Sequence, residues 1–240
     1  MHPVQFISLG PGEADLITLK GLKALQNADC IYCPCTLAAG GAKEEKKNAA
    51  PTSRSGTILT TLGIPTSKIA FFQVPMNKNR EAARLSYEAV FIQAKQMCSN
   101  GKKVAIVAEG DAGFYSSIHY IQDRFAQQGV VAERIPGVPA FIAAGAFAGL
   151  HIVKQEEPLL VFPGIVTSGE IKEAVDSGKT VAIMKLSQCE AAVKECVSCN
   201  MLFHYFENVG MPDQLYVSDK QVISQLKFPY FSVMIIKPAI

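Results

Sequence analysis

Val104-Ala105-Ile106-Val107-Ala108-Glu109-Gly110-Asp111-Ala112-Gly113-Phe114-Tyr115-Ser116-Ser117 is the stretch that decides the fold class. Its first five residues are apolar without a break, as in a strand covered on both faces of a parallel sheet. The run then stops at an acid set between two glycines. In parallel sheets ligands bind beyond the carboxyl ends of the strands, so Asp111 is a candidate ligand contact. It reads equally well as a helix cap or turn residue, and spacing alone leaves both open.

The same strand-then-turn arrangement occurs on both sides of this stretch. Val4 to Leu9 reads as a strand and leads into Leu9-Gly10-Pro11-Gly12, where glycine permits close approach to a ligand or a positive φ. By itself this is a tight turn, because it lacks the third glycine of the dinucleotide fingerprint. Val131 to Ile135 leads into Pro136-Gly137-Val138-Pro139-Ala140-Phe141 and then into a small-residue helix around Ala143 to Ala146. Small side chains there serve core packing or a bound planar group. Further strands are expected at Cys30 to Cys33, Ala70 to Val74, Leu159 to Phe162, Thr180 to Met184 and Phe231 to Ile236. Leu19, Leu22, Leu25 and Ala28 recur at helical spacing behind a capping Thr18, and Arg80 to Asn100 is a longer helix stopped by Gly101. Apolar runs alternating with helices argue for an α/β architecture.

Leu37 to Ser67 breaks this rhythm, being rich in Gly, Ala, Ser, Thr and Lys. It reads as a solvated surface insertion or as a lid over a site. The 240 residues are 49% hydrophobic and 18% charged with a formal net charge of +2, the balance of an enzyme rather than of a nucleic-acid binder. The first residues lack the basic and apolar segments of a leader, and the apolar stretch Pro136 to Leu150 is too short for a bilayer, so a cytoplasmic setting without membrane or nucleic-acid partners is expected. Seven cysteines in such a chain are expected to be reduced. Cys30, Cys33 and Cys35, or Cys196 and Cys199, have spacings that would suit zinc or an iron–sulfur cluster. On an extended chain, however, Cys30 and Cys33 point to opposite faces, and no metal is assigned.

In order and context, "GPGEADLITLKGL", "EGDAGFYSS" and "PGVPAFIAAGA" resemble the tetrapyrrole (corrin/porphyrin) methylase family, and the resemblance continues through "VAIMKL", "FENVGMPDQLYV" and "PYFSVMII". Within that family, Glu109-Gly110-Asp111, Phe114-Tyr115-Ser116, Met184-Lys185 and Pro229-Tyr230-Phe231-Ser232 are most similar to the precorrin-2 and cobalt-factor II C20-methyltransferases. Ala112 stands where a proline is usual, Pro139-Ala140 replaces a Ser-Ser or Thr-Ala pair, and Asn208 sits where C20 enzymes carry Arg.

The resemblance implies a two-domain α/β homodimer of the tetrapyrrole methylase fold, with S-adenosylmethionine in a cleft between domains expected at 1–112 and 113–240. The matching cofactor contacts are Pro11, Gly110, Asp111, Phe114, Pro139, Ala140, Met184 and Val209. The implied reaction is methylation of precorrin-2 or cobalt-factor II at C20 in cobalamin biosynthesis. Alternatives are another ring carbon or a modified protein residue as target, or a cysteine-based metal module. A carboxylate-rich tetrapyrrole needs cations, for which Arg54, Lys78, Arg80 and Arg84 are candidates, with Lys43, Lys46 and Lys47 if the insertion folds over. No Ser, Cys or His nucleophile is nominated, since a sulfonium is already an activated electrophile.

Overall fold

The computed structural model describes residues 2–36, 53–74, 80–199 and 201–238. By its internal packing the chain divides into two compact units, Met1–Val138 and Pro139–Ile240.

The first unit opens with β1 (Val4–Ser8), α1 (Leu19–Asn27) and β2 (Cys30–Cys35). It continues through α2 (Arg54–Thr61), β3 (Ile69–Gln73), α3 (Arg80–Ser99), β4 (Val104–Ala108), α4 (His119–Gln127) and β5 (Ala132–Ile135). The five strands form one parallel sheet in the order β3-β2-β4-β1-β5. Period-two alternation sends neighbouring side chains to opposite faces. Phe6, Ile106 and Tyr32 therefore join Phe91 and Phe125 in one core, while Ile7, Val107 and Ile31 join Leu25, Ile58 and Leu59 in another. Thr18 caps α1 by accepting the Gly21 N–H at 3.1 Å, and Gly101, at φ +76°, follows α3, as the sequence suggests.

Two expectations change here. Residues 113–138 belong with the first unit, since β5 pairs in register with β1 (Val4 with Ala132, Ile7 with Ile135), so the boundary falls at Val138/Pro139 rather than after residue 112. The stretch expected to be an insertion contains α2, which is capped by the Ser53 hydroxyl and anchored by buried Ile58 and Leu59. Residues 37–52 of that stretch lie outside the described ones.

The second unit contains α5 (Ala140–Phe147), β6 (Leu159–Phe162), α6 (Ser168–Asp176), β7 (Thr180–Met184) and α7 (Glu190–Ser198). It ends with β8 (Leu202–Glu207), β9 (Leu215–Val217), α8 (Lys220–Gln225) and β10 (Ser232–Lys237). The sheet order is β6-β7-β10-β8-β9, with β6 parallel to β7 and β10 antiparallel to both of its neighbours. β8 and β9 are additions to the strands read from the sequence. β10 lies at the centre of the sheet, which explains why Ser232 to Ile236 are all buried.

Candidate functional site

In the first unit β1 and β4 are neighbours, yet the helices that follow them lie on opposite faces. α1 contributes Ala24 and Leu25 to one core, and α4 contributes Ile121 and Phe125 to the other. The connections therefore diverge at the carboxyl ends of β1 and β4, the switch point at which open α/β sheets bind ligands. The turns after the two strands are joined by a glycine pair: Gly110 donates to the Gly10 carbonyl at 2.7 Å and Gly10 donates to the Gly110 carbonyl at 3.1 Å. Both have positive φ, +80° at Gly10 and +72° at Gly110, a region costly for residues with a Cβ. Gly110 is buried, yet a Cβ added there would meet nothing within 4 Å, so its backbone borders a small open space.

Asp111 ties the turns together. Its Oδ1 accepts the Gly113 N–H and its Oδ2 accepts the Gly137 N–H, each at 2.7 Å, which joins the turn after β4 to the turn after β5. Beneath it, the fully buried Ser8 hydroxyl donates to the Ile135 carbonyl at 2.7 Å and accepts the Ala112 N–H at 2.8 Å. Ser8 is a site-building residue that the sequence reading missed; its one signal is a hydroxyl closing the strand Val4-Gln5-Phe6-Ile7-Ser8. Gly137 fits closely over it, for an added Cβ would lie 2.5 Å from the Ser8 Cβ.

Arg54 on α2 reaches the same edge, with Nε 2.9 Å from Glu109 Oε1 and Nη2 3.4 Å from the Pro11 carbonyl. Burial pushes the Glu109 carboxyl up to about 7, the nearby guanidinium pulling it back only in part. Arg54 is thus engaged in holding the turns, a role additional to the rim cation expected of it. Arg84 is exposed on α3, while Lys43, Lys46, Lys47, Lys78 and the side chain of Arg80 lie outside the described residues. Phe114 stands edge-to-face with Tyr115 at 4.7 Å, and Tyr115 itself has φ +49°.

Of the eight expected contacts, Pro11, Gly110, Asp111 and Phe114 therefore gather at one edge of the first unit. The other four lie in the second unit. Pro139 precedes α5 and its carbonyl accepts from Ile142 at 3.1 Å, with Ala140 as the first helical residue. Met184 ends β7 in register with Val233, and buried Val209 follows β8. Lys185 donates its N–H to the Ser232 carbonyl at 3.0 Å and Asn208 donates to the Phe231 carbonyl at 2.9 Å, so Met184 and Val209 flank the start of β10.

The cysteines are spread over separate surroundings. Cys30 packs into the core under α3, Cys33 into the core under α1 and α2, and Cys196 is buried whereas Cys199 is exposed. Among the described residues no three His, Cys, Asp or Glu side chains are grouped to hold a metal ion.

The sequence profile of the Tetrapyrrole (Corrin/Porphyrin) Methylases matches residues 3–221. The chain belongs to the tetrapyrrole methylases. Members of this family take their methyl group from S-adenosylmethionine. The open space at Gly110, beside glycine turns at a sheet switch point, fits a cofactor laid against backbone. The tetrapyrrole methylase is 26% identical over 234 residues to the cobalamin biosynthesis protein CobIJ of Mycobacterium tuberculosis, a match covering 95% of this chain and 44% of that protein. It thus spans less than half of that relative. To the probable cobalt-precorrin-2 C(20)-methyltransferase of Methanocaldococcus jannaschii it is 25% identical over 179 residues, covering 75% of this chain and 70% of the other. Its fold is that of the cobalt precorrin-4 methyltransferase CbiF, with a TM-score of 0.70 at 17% identity over 98% of this chain and 94% of that one.

Proposed function

We propose that this tetrapyrrole methylase transfers a methyl group from S-adenosylmethionine to C20 of precorrin-2 or its cobalt complex, in cobalamin biosynthesis. The observation that carries the reading is the β1/β4 switch point, where Gly10, Gly110 and Asp111 hold backbone in place beside an open space. The likeness to a C20 enzyme and the segments Phe114-Tyr115-Ser116 and Tyr230-Phe231-Ser232 support the ring position.

The sulfonium supplies an activated methyl group, so the chain's own residues have to bind, orient and exclude water. Bringing the accepting carbon to about 3–3.5 Å in line with the breaking bond accounts for much of such catalysis. The Ser8 and Asp111 hydrogen bonds serve that end by fixing the turns after β1, β4 and β5 relative to one another. Pro11, Gly110, Asp111, Phe114, Pro139, Ala140, Met184 and Val209 are the proposed contacts to the donor. A homodimer in the cytoplasm is part of the same reading, and sedimentation as a monomer would count against it. The likeness to a precorrin-4 enzyme favours, as the second reading, methylation of another ring carbon.

The test supplies labelled S-adenosylmethionine together with precorrin-2, its cobalt complex or uroporphyrinogen III, and locates the label by mass spectrometry and carbon NMR. One methyl at C20 of precorrin-2 or its cobalt complex is expected, with uroporphyrinogen III untouched. Two methyls on uroporphyrinogen III, or label at another carbon, would overturn the C20 assignment.

A further inference from the structure

Glu109 and Asp111 follow β4 two residues apart, yet they are held in different ways. Asp111 is satisfied by the backbone amides of Gly113 and Gly137. Glu109 takes no such amide; its Oε1 accepts from Arg54 Nε at 2.9 Å, and no described residue donates to its Oε2. The pair is sunk into the first unit, the side chains of Glu109 and Arg54 keeping 19% and 18% exposure. Because Arg54 belongs to α2, the carboxyl lies on the sheet face of Val107, Ile58 and Leu59, away from the Asp111 network. The same guanidinium reaches the Pro11 carbonyl, so the carboxyl is fixed between the turns after β1 and β4, and Gly110, whose backbone borders the open space, is the next residue. Burial leaves the carboxyl at about 7, and Arg54 is the charged group that acts on it. On that face burial also pushes the Cys33 thiol up, to about 12, so it adds no charge. The other described acids with displaced values, Asp29, Glu88, Glu133, Glu157, Glu170, Glu190 and Glu195, are all drawn downward by their own donors. A buried acid with one cation and no amides, at a ligand-binding sheet edge, is the arrangement of a group that exchanges a proton.

The proposed reaction calls for such a group. C20 is a bridging carbon that carries a hydrogen. Its bond to the incoming methyl carbon forms with a π electron pair of the macrocycle, while the methyl–sulfur bond breaks and its pair leaves with the neutral sulfide. The ring then holds the positive charge until the C20–H bond breaks, its pair returning to the ring and its proton passing to a base. We propose that Glu109 is this proton acceptor, its carboxylate held by Arg54 at the edge where the methyl donor binds. The inference rests on the proposed function. A base must be ionised before the step and protonated after it, a cycle for which a carboxyl near neutrality is better matched than one held low by several donors.

Glu109→Gln keeps an oxygen for the Arg54 Nε and removes the base, whereas Glu109→Asp keeps a carboxylate on a shorter stem. Single-turnover formation of the C20-methylated product is followed by absorbance across about pH 5.5–8.5, with precorrin-2 carrying hydrogen or deuterium at C20. Product formation should slow about 100-fold or more in Glu109→Gln, while affinity for S-adenosylmethionine in calorimetry stays within about threefold. In the wild type the rate should rise with pH through about 7, as the carboxyl loses its proton, and deuterium should slow it. The rise should persist in Glu109→Asp and vanish in Glu109→Gln, a difference that a group merely bracing Arg54 would not produce. A Gln variant that turns over within about threefold of the wild type overturns the inference, as does a loss that falls on methyl-donor affinity instead of rate. Where Glu109→Gln does not fold, the wild type decides, and a rate indifferent to pH and to deuterium overturns the inference. Wild-type protein that methylates no tetrapyrrole, or labels a carbon bearing no hydrogen, refutes the proposed function instead, a result read before any variant is compared.

Discussion

Ser8→Ala removes one oxygen and should loosen three turns. The hydroxyl donates to Ile135 at 2.7 Å and accepts from Ala112 at 2.8 Å at a position with no solvent exposure, so water has no direct route to replace it. The Ala112 N–H becomes an unsatisfied buried donor, costing about 1–3 kcal/mol, and the lost bond to the Ile135 carbonyl adds about 1 kcal/mol. The expected destabilisation is about 2–4 kcal/mol, which in a chain of this size lowers the melting temperature by roughly 5–15 °C. Differential scanning calorimetry with urea titration followed by circular dichroism measures it. Because the same turns bear Gly110 and Asp111, affinity for S-adenosylmethionine should fall with stability while the far-ultraviolet spectrum of the folded protein is retained. A variant that melts within about 1 °C of the wild type and binds the donor unchanged would refute the reasoning.

Gly137→Ala should destabilise by about 1–3 kcal/mol through overpacking, because its Cβ would press on Ser8 at 2.5 Å and on the Gly110 carbonyl at 3.1 Å. Gly169→Ala in α6, where the nearest atom is 4.0 Å away, should instead stabilise by about 0.5–1 kcal/mol; both are read from urea midpoints. The Glu109 carboxyl, at about 7 in the fold against 4.5 as its ordinary value, favours folding fully below the lower value and loses that contribution as pH rises through 7. The stability of the wild type relative to Glu109→Gln should therefore fall by up to about 3 kcal/mol between pH 5 and 8, and a constant or rising difference in urea titrations would contradict it. Asp111→Arg and Met184→Glu should each weaken S-adenosylmethionine binding in calorimetric titration, and unchanged affinity in both would remove the proposed contact set.

What could be read from the sequence was whatever a local pattern expresses. β4 and the centre of β10 are uninterrupted apolar runs, Thr18 stands one residue before a helical repeat, and Cys30 and Cys33 fall on opposite faces simply because strand side chains alternate. α2 was hidden because Arg-Ser-Gly-Thr-Ile-Leu-Thr-Thr carries only two large apolar residues, and its helix depends on the Ser53 cap and on burial of Ile58 and Leu59. β8 was hidden because Leu-Phe-His-Tyr-Phe-Glu buries Tyr205 and Phe206 in succession and so shows no clean alternation. The boundary at Val138 rests on pairing of β5 with β1 across more than a hundred residues, which no window of sequence displays. At the site, the glycine turns were visible as turns. That Asp111 satisfies Gly113 and Gly137, and that Ser8 supports them, is a matter of tertiary placement.

β10 occupies the middle of the second sheet although it comes after every other strand in sequence order. During synthesis β7 must therefore wait, with one edge open, while roughly 50 further residues are added, or about 3–10 s at 5–20 residues per second. Thr180 to Met184, among the most apolar segments of the chain, is exposed as an unpaired template for all of that interval. The first sheet has a like dependence, since β4 lies between β2 and β1 and is made only after about 95 residues have followed β1. Newly made chains should accordingly divide between folding and self-association, with faster completion of the chain or lower chain concentration favouring the folded product.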